Sequence, residues 1–318
     1  MILSRTAFMG ELLLLGILAL LWGSSYIFIK IAVGEIPPLT LIALRVSIAA
    51  VFLTVIVYMQ KQHFPRDAKI WAQFLLQAFF NSIGAWTILA WGQQYVDSGL
   101  ASVLNSTSPV FLFFISLLLV RHNQVNGLKL VGALTGLAGV ILIVGPAALN
   151  GLGQHLMGQL AVLTGAFLYA CGALYGKKFA ALAPSVTAAG TMIWATIWLI
   201  PLCLINDHPW ALRPSFSAIG AIVILSVFCT GVALLLYFRL VKTLGPMGVA
   251  SQSYLRAGIG VFLGIFLLHE DPGPRTLLGI AIALTGVIIL NWPKTTGIPA
   301  IRPSEITSKP AAPTQKQD

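Results

Sequence analysis

The sequence predicts an all-α integral membrane protein with ten transmembrane helices, arranged as two inverted five-helix repeats. Three observations support this prediction. Hydrophobic residues make up 58% of the 318 residues and charged residues only 9%, whereas a soluble domain carries about 25% charged residues. The apolar residues are grouped into ten segments that are long enough to cross a bilayer. The last segments of the two halves also resemble each other.

Each apolar segment has about 20 residues, which matches a hydrocarbon core of roughly 30 Å. The first segment begins at Glu11 and continues through Trp22 without a convincing cleavage site, so we expect it to be retained rather than removed as a signal peptide. The approximate segments are 11–33, 39–59, 70–91, 99–120, 126–145, 156–176, 186–205, 216–238, 246–268 and 274–292.

Basic residues are unevenly distributed between alternate loops. If the N-terminus is cytoplasmic, fourteen basic residues lie on the cytoplasmic side and three lie outside, as the positive-inside rule requires. The three are Lys30, Arg213 and Arg275. The sequence therefore predicts a multi-pass protein of the cell inner (plasma) membrane with both termini cytoplasmic. Because topology accounts for most of the net charge of +10, that charge does not indicate a nucleic-acid partner.

The internal repeat is clearest between residues 132–143 and 279–290. An offset of 147 residues aligns GALTGLAGVILI with GIAIALTGVIIL. The same offset aligns Asn105 with Gln252 and places Arg256 opposite a proline. Five helices per half make the second half enter the membrane from the opposite side. Many secondary transporters share this arrangement and bind their substrate near the midplane between the halves.

The repeat defines the expected domain organisation. We expect a first five-helix repeat over residues 1–150 and a second over residues 151–292. Residues 293–318 are too polar and too few to bury a core, so we expect a disordered cytoplasmic tail.

Short motifs recur along the chain in a recognisable order. They are Trp22-Gly23-Ser24-Ser25, Pro38 with Arg45, Ala101 to Pro109, Gly132 with Gly139, Gly248-Val249-Ala250, Glu270, and Gly279 with Gly286. On these motifs the chain resembles the EamA-like group of the drug/metabolite transporter superfamily over about residues 10–292. The resemblance implies ten helices and small metabolites or drugs as substrates, commonly moved outward. Arg256 departs from the family, which usually has proline there.

Arg256 is the first candidate for substrate binding. It lies near the middle of the ninth segment, where a guanidinium costs at least about 2.5 kcal/mol unless it faces water or a partner. No Asp or Glu lies deep in any segment. A substrate carboxylate or phosphate is therefore the partner that we expect for the guanidinium. A structural arginine, bonded to helix-end carbonyls or a polar side chain, remains the alternative.

The other candidates are polar residues near the midplane of both halves and aromatic residues in the segments. We interpret them as cavity lining, although polar groups also join helices. They are Gln252, Tyr254, Ser251, Asn105, Ser108, Trp22, Tyr26, Trp86 and Tyr169. Arg45 lies in the outer third of its helix, so we interpret it as a structural residue that snorkels or ties helix ends together.

Together with the outward transport that the resemblance implies, the sequence thus predicts a secondary-active transporter that exports a small carboxylate-bearing metabolite, such as an amino or organic acid, by alternating access. A broad exporter of drugs or of cationic and neutral compounds is the main alternative. A channel and a membrane-embedded enzyme using His269, Glu270 and Asp271 are remote ones. No Walker A loop or metal-ligand spacing occurs, so we expect no catalytic residues, cofactor or metal. The expected partners are the substrate and the lipid bilayer, with protons open as a coupling ion.

Overall fold

The apolar segments fold into helices whose boundaries lie close to the predicted ones. The computed structural model describes residues 5–92, 95–96, 98–119, 127–144, 155–256, 258–259 and 273–292. The predicted tail at 293–318 and the group His269, Glu270 and Asp271 lie outside these residues. Within the described residues, seven helices are long and apolar enough to span a bilayer, and Val103–Leu118 is a shorter apolar stretch of mostly helical residues. All the regular secondary structure described is helical.

Thirteen α-helices account for most of the described chain. In the first half they are α1 (Arg5–Val33), α2 (Pro38–Met59), α3 (Ala68–Ala78), α4 (Gly84–Gly92), α5 (Ser98–Asn105), α6 (Ser108–Leu119) and α7 (Gly127–Val144). In the second half they are α8 (Leu156–Tyr175), α9 (Pro184–Asn206), α10 (Phe216–Ser226), α11 (Ala233–Thr243), α12 (Gly245–Ala250) and α13 (Pro274–Asn291). Helices α2, α9 and α13 begin with proline, whose fixed φ suits the first helical position and whose missing N–H is no loss there.

Two irregularities occur at corresponding places in both halves. A π-helical turn at Phe79–Ile83 joins α3 to α4, and a second one at Val227–Val232 joins α10 to α11. Each pair therefore forms one longer rod with a local change of register. The next crossing is broken in both halves, by a turn at 106–107 between α5 and α6 and by a turn at Ser251 after α12. Turns of this kind place backbone and polar side chains in the middle of the bundle.

Two pairs of corresponding helices, α2 with α9 and α7 with α13, pack against each other in antiparallel fashion. At one end of α2, Thr40 bonds to Asp207 at the end of α9, and at the other end Gln60 bonds to Ser185 at the start of α9. Helices α7 and α13 also run antiparallel, because residue 139 lies beside 283 whereas residue 143 lies beside 279. Equivalent helices that run in opposite directions are the mark of an inverted repeat, as the sequence predicts.

The Glu11 end, as we call it, is one end of the bundle and is closed by an ion pair. Glu11 Oε1 accepts from Arg239 Nη2 at 2.8 Å, and Glu11 Oε2 accepts from the Thr243 hydroxyl at 2.9 Å. Glu11 is buried, whereas the Arg239 side chain is 54% exposed. These contacts tie the start of α1 to the end of α11.

The opposite end, which we call the Glu35 end, contains two carboxylates that each cap a helix of the other half. Glu35 accepts from the Ser215 backbone N–H at 2.6 Å and from its hydroxyl at 2.7 Å, just before α10. Asp207 accepts from the Thr40 backbone N–H and hydroxyl, both at 2.8 Å, in the first turn of α2. The bonds from the Ser215 N–H and then its hydroxyl lower the pKa of Glu35 from its ordinary value.

Candidate functional site

A cavity of about 210 Å³ lies between the two halves of the bundle. Its wall combines aromatic rings, amides, hydroxyls and two arginines from both halves. The first half contributes Trp22, Ser25, Arg45, Asn81, Trp86, Asn105 and Ser108. The second half contributes Tyr169, Tyr237, Gln252, Ser253 and Arg256, besides apolar residues. The first π-helical turn and the helix breaks of both halves therefore border the same space, as expected for a site between inverted repeats.

Arg256 faces this cavity from the helical stretch that follows α12. Its Cζ lies 4.6 Å from the centre of the Trp22 ring, so the guanidinium stacks on the indole face. Its Nε is buried and has no hydrogen-bond partner among the described residues. The ion pair between Glu11 and Arg239 is the one salt bridge found in the described part of the chain, so no carboxylate there neutralises Arg256. A guanidinium stacked on a ring face still presents the N–H groups of its edge for hydrogen bonding.

Asn105 and Gln252, which the repeat aligns, both line the cavity. The Oδ1 of Asn105 and the Oε1 of Gln252 are buried and accept no hydrogen bond from the described residues. A buried amide oxygen without a donor is costly, so a polar substrate or ordered water is the natural partner.

Ser108 lines the cavity at the start of α6, but its hydroxyl is already engaged. It donates to the Ala166 carbonyl of α8 at 2.6 Å. The bond joins helices from the two halves at the edge of the cavity. Ser108 is therefore available to a substrate only through its remaining acceptor capacity.

Two of the predicted site residues lie outside the cavity lining. Tyr254 is fully buried against α7 and donates to the Ala133 carbonyl at 2.8 Å. Ser251 donates to the Gly248 carbonyl at 2.6 Å and accepts from Asn291 Nδ2 at 3.0 Å. The reason is helical geometry. Residues four apart share a face of a helix, so 252 and 256 point together into the cavity, whereas 254 points away from it.

Aromatic residues form the apolar part of the wall. Trp22, Trp86 and Tyr169 line the cavity as predicted, whereas the side chain of Tyr26 lies outside the described part of the structure. Tyr237 was not predicted. Its ring lies 5.6 Å from that of Trp22 and extends the aromatic wall.

Arg45 does not extend toward the membrane surface as a snorkelling residue would. It is 8% exposed and lines the cavity. Its Nε donates to Thr230 Oγ1 at 2.6 Å and its Nη2 to the Cys229 carbonyl at 3.3 Å, within the second π-helical turn. Its Cζ lies 4.2 Å from the centre of the Trp86 ring. Arg45 thus ties the two halves together in the middle of the bundle rather than at the helix ends.

Three further polar residues of the wall were missed by the sequence reasoning. Ser25 donates to the Trp22 carbonyl at 2.6 Å and Ser253 to the Ala250 carbonyl at 2.9 Å. Asn81 lies in the first π-helical turn. No sequence signal singled out Asn81, because a π-helical turn leaves no clear mark in composition. No group of metal-ligating side chains was found within the described residues.

An inverted pair of membrane-spanning repeats with a mixed polar and aromatic cavity between them defines a membrane transporter. The chain belongs to the EamA-like transporter family, whose model matches residues 9–145 and again 156–292. It is 25% identical to the uncharacterized transporter YoaV of Bacillus subtilis over 87% of this chain and 95% of that protein. It is 27% identical to the uncharacterized inner membrane transporter YedA of Escherichia coli, over 87% of this chain and 89% of that protein.

A solved crystal structure has the same fold. It superposes with a TM-score of 0.75 at 20% sequence identity and covers 88% of this chain and 97% of its own. The double family match confirms the resemblance that the sequence motifs predict. The ten-helix, inverted-repeat fold is confirmed as well, and the protein is a multi-pass membrane transporter.

Proposed function

We propose that the protein is a secondary-active transporter that moves a small carboxylate-bearing metabolite, such as an amino or organic acid, outward by alternating access. The observation that carries this proposal is Arg256, which lines the cavity, has no hydrogen bond at its buried Nε and has no carboxylate partner in the described structure. A guanidinium kept out of water binds a carboxylate with charge-assisted hydrogen bonds, which are the strongest available to it. An anionic substrate would therefore remove the cost of holding Arg256 in the membrane.

The size and charge of the cavity support a small anion. Pockets for drug-sized ligands enclose about 300–1,000 Å³, whereas this cavity encloses about 210 Å³. Its described lining contains Arg45 and Arg256 but no Asp or Glu. The wall is thus cationic and suits a small metabolite with a negative group and an apolar body.

The aromatic wall supports the alternative of a broad exporter less well. Cationic compounds bind the faces of aromatic rings, but Arg45 and Arg256 already stack on Trp86 and Trp22. A cationic substrate would compete with these arginines and be repelled by them. The same charge argues less against neutral compounds.

The proposed orientation follows from the distribution of basic residues. It places both termini in the cytoplasm and the protein in the inner membrane, with the Glu11 end cytoplasmic and the Glu35 end outside. Alternating access would then require the Glu35 end to open for release. The corresponding domains are residues 1–150 and 151–292, followed by the tail at 293–318. A proton is the coupling ion that we would test first.

The test uses matched compounds that differ only in their charged groups. One triplet is propionate, L-alanine and ethylamine, and the other is 3-phenylpropionate, L-phenylalanine and phenethylamine. Thermal unfolding of the purified protein is measured with each compound, since a ligand at 100 times its dissociation constant adds about 2.7 kcal/mol of stability. Wild type is compared with Arg256→Gln and with Arg275→Gln, which removes an exposed arginine at the start of α13.

We expect at least one acid or amino acid to stabilise wild type and Arg275→Gln but not Arg256→Gln. The stabilising compound should also exchange across proteoliposome membranes containing wild type. Equal stabilisation of all three proteins by the amines alone would refute the anion site and favour the broad exporter. Chemical conversion of a compound without its transport would favour an enzyme.

A further inference from the structure

A second cavity, of about 340 Å³, lies between α2 and α9 near the Glu35 end. We call it the lateral groove. Its walls include Ala43, Leu44 and Ser47 on α2 and Ile200, Cys203 and Leu204 on α9. It shares no lining residue with the substrate cavity, because the two spaces lie on different faces of α2.

The polar groups of the lateral groove already have partners. The Thr40 hydroxyl donates to Asp207 at 2.8 Å and the Ser47 hydroxyl donates to the Ala43 carbonyl at 2.7 Å. The Cys203 thiol contacts the Ile200 carbonyl at 3.2 Å. A buried water needs two to four polar partners, and these groups offer few. The groove therefore suits an apolar occupant.

The rim of the groove faces the bilayer. Leu44, Ile200 and Leu204 are 40%, 37% and 42% exposed, on helices that span the membrane. Trp210, in the short helical turn that follows α9, is 69% exposed, as is typical of aromatic residues at the membrane–water interface. The groove thus starts at the interface and extends into the hydrocarbon region, where acyl chains are the available apolar ligand.

A cation lies next in sequence to two residues that line the groove. Arg213 is exposed and stands between Leu212 and Pro214, which both line the groove. The salt bridges of the described chain do not include Arg213. A guanidinium in that position matches the phosphate of a phospholipid whose chain enters the groove.

We propose that the lateral groove binds one acyl chain of a membrane phospholipid, with the lipid phosphate at Arg213. The bound chain would contact Thr40, whose bond to Asp207 joins α2 to α9 at the Glu35 end. This site is separate from the substrate site and does not depend on Arg256. Lipid occupancy would support the closed form of the Glu35 end.

The experiment measures phospholipid binding to the purified full-length protein by native mass spectrometry. The probes are phosphatidylglycerol and diglucosyldiacylglycerol, a neutral lipid with the same acyl chains. Ser47→Leu fills the groove, and Thr54→Leu is the matched control, because both hydroxyls bond to the carbonyl four residues earlier on α2 and both side chains are half-buried. Arg213→Gln removes the proposed phosphate contact.

We expect wild type and Thr54→Leu to retain one phosphatidylglycerol, and Ser47→Leu to bind it at least tenfold more weakly. Arg213→Gln should weaken binding of phosphatidylglycerol but not of the neutral lipid. Unchanged binding by Ser47→Leu, or an equal loss in Thr54→Leu, would overturn the proposed site. Equal effects of Arg213→Gln on both lipids would overturn the phosphate contact.

A second measurement needs no variant. Phosphatidylglycerol with a photoreactive diazirine in its acyl chain is incorporated into vesicles with wild-type protein and illuminated. Adducts should concentrate on Leu44, Ile200 and Leu204. Adducts spread evenly over all lipid-facing helices would contradict the proposal.

Discussion

Replacing Gly136 by alanine should destabilise the protein through its contact with Tyr254. A methyl group at 136 would lie 2.3 Å from two ring carbons of Tyr254, whereas ordinary contacts begin near 3.4 Å. The ring has no room to retreat, because Tyr254 is fully buried and its hydroxyl is bonded to the Ala133 carbonyl. Overpacking destabilises a protein by about 1–3 kcal/mol, and we expect this contact to cause a destabilisation near the upper limit of that range. Since alanine favours a helix over glycine by about 1 kcal/mol, we expect a net loss of about 2 kcal/mol.

The matched control is Gly258→Ala, close to Arg256, where the nearest atom that the described residues of other helices bring to an added methyl group is 3.9 Å away. Thermal unfolding in detergent, followed by tryptophan fluorescence, should show a lower melting temperature for Gly136→Ala and an equal or higher one for Gly258→Ala. Adding Tyr254→Leu to Gly136→Ala should recover part of the loss, because it removes the ring. If Gly136→Ala melts at or above Gly258→Ala, the steric reasoning is refuted.

Three further predictions concern the polar contacts. Glu35→Gln should lower the melting temperature at pH 7, and the difference from wild type should shrink as the pH falls below about 4.3. The sign follows from the lowered pKa of Glu35, which makes its stabilisation complete above the ordinary pKa and lost as the carboxylate is protonated. Thr230→Val should cost about 1.5–3 kcal/mol, because it keeps the side-chain shape but removes the acceptor of Arg45 Nε. Arg239→Gln should destabilise more than Glu11→Gln, because it leaves a buried carboxylate without its cation, whereas the exposed arginine left by Glu11→Gln returns to water.

Each of these predictions has an outcome that would contradict it. A difference between Glu35→Gln and wild type that stays constant down to pH 3 would show that the carboxylate charge does not matter. An unchanged melting temperature for Thr230→Val would mean that the bond from Arg45 contributes nothing net. A larger loss of stability in Glu11→Gln than in Arg239→Gln would show that the unpaired arginine, and not the unpaired carboxylate, is the costly group.

The membrane-spanning helices were predictable from the sequence, because each one depends only on the composition and length of its own segment. The predicted segments 39–59 and 274–292, for example, match α2 and α13 closely. The inverted repeat was predictable too, since the alignment of 132–143 with 279–290 combines with an odd number of helices per repeat. These features need no knowledge of which helices touch.

The direction in which each side chain points was harder to predict from the sequence. Tyr254 was predicted to line the cavity together with Gln252 and Arg256. The helical spacing of these residues instead turns residue 254 away from the cavity. The role of Arg45 depends on Thr230, which lies 185 residues away, and on a π-helical turn whose extra residue leaves no clear mark in composition. Long-range partners and register changes are properties of the packed bundle rather than of any single segment.

At the Glu35 end, each half caps a helix of the other half, and this affects the order in which contacts can form while the chain is synthesised. Helix α2 enters the membrane before Asp207, which caps it and lies 167 residues later in the chain. At a synthesis rate of 5–20 residues per second, that helix end waits roughly 8–33 s for its cap. Glu35, made earlier, waits in the same way for Ser215, 180 residues on. The Glu35 end can therefore close only after residue 215 has been made, and a chain arrested before residue 207 would lack both of these links.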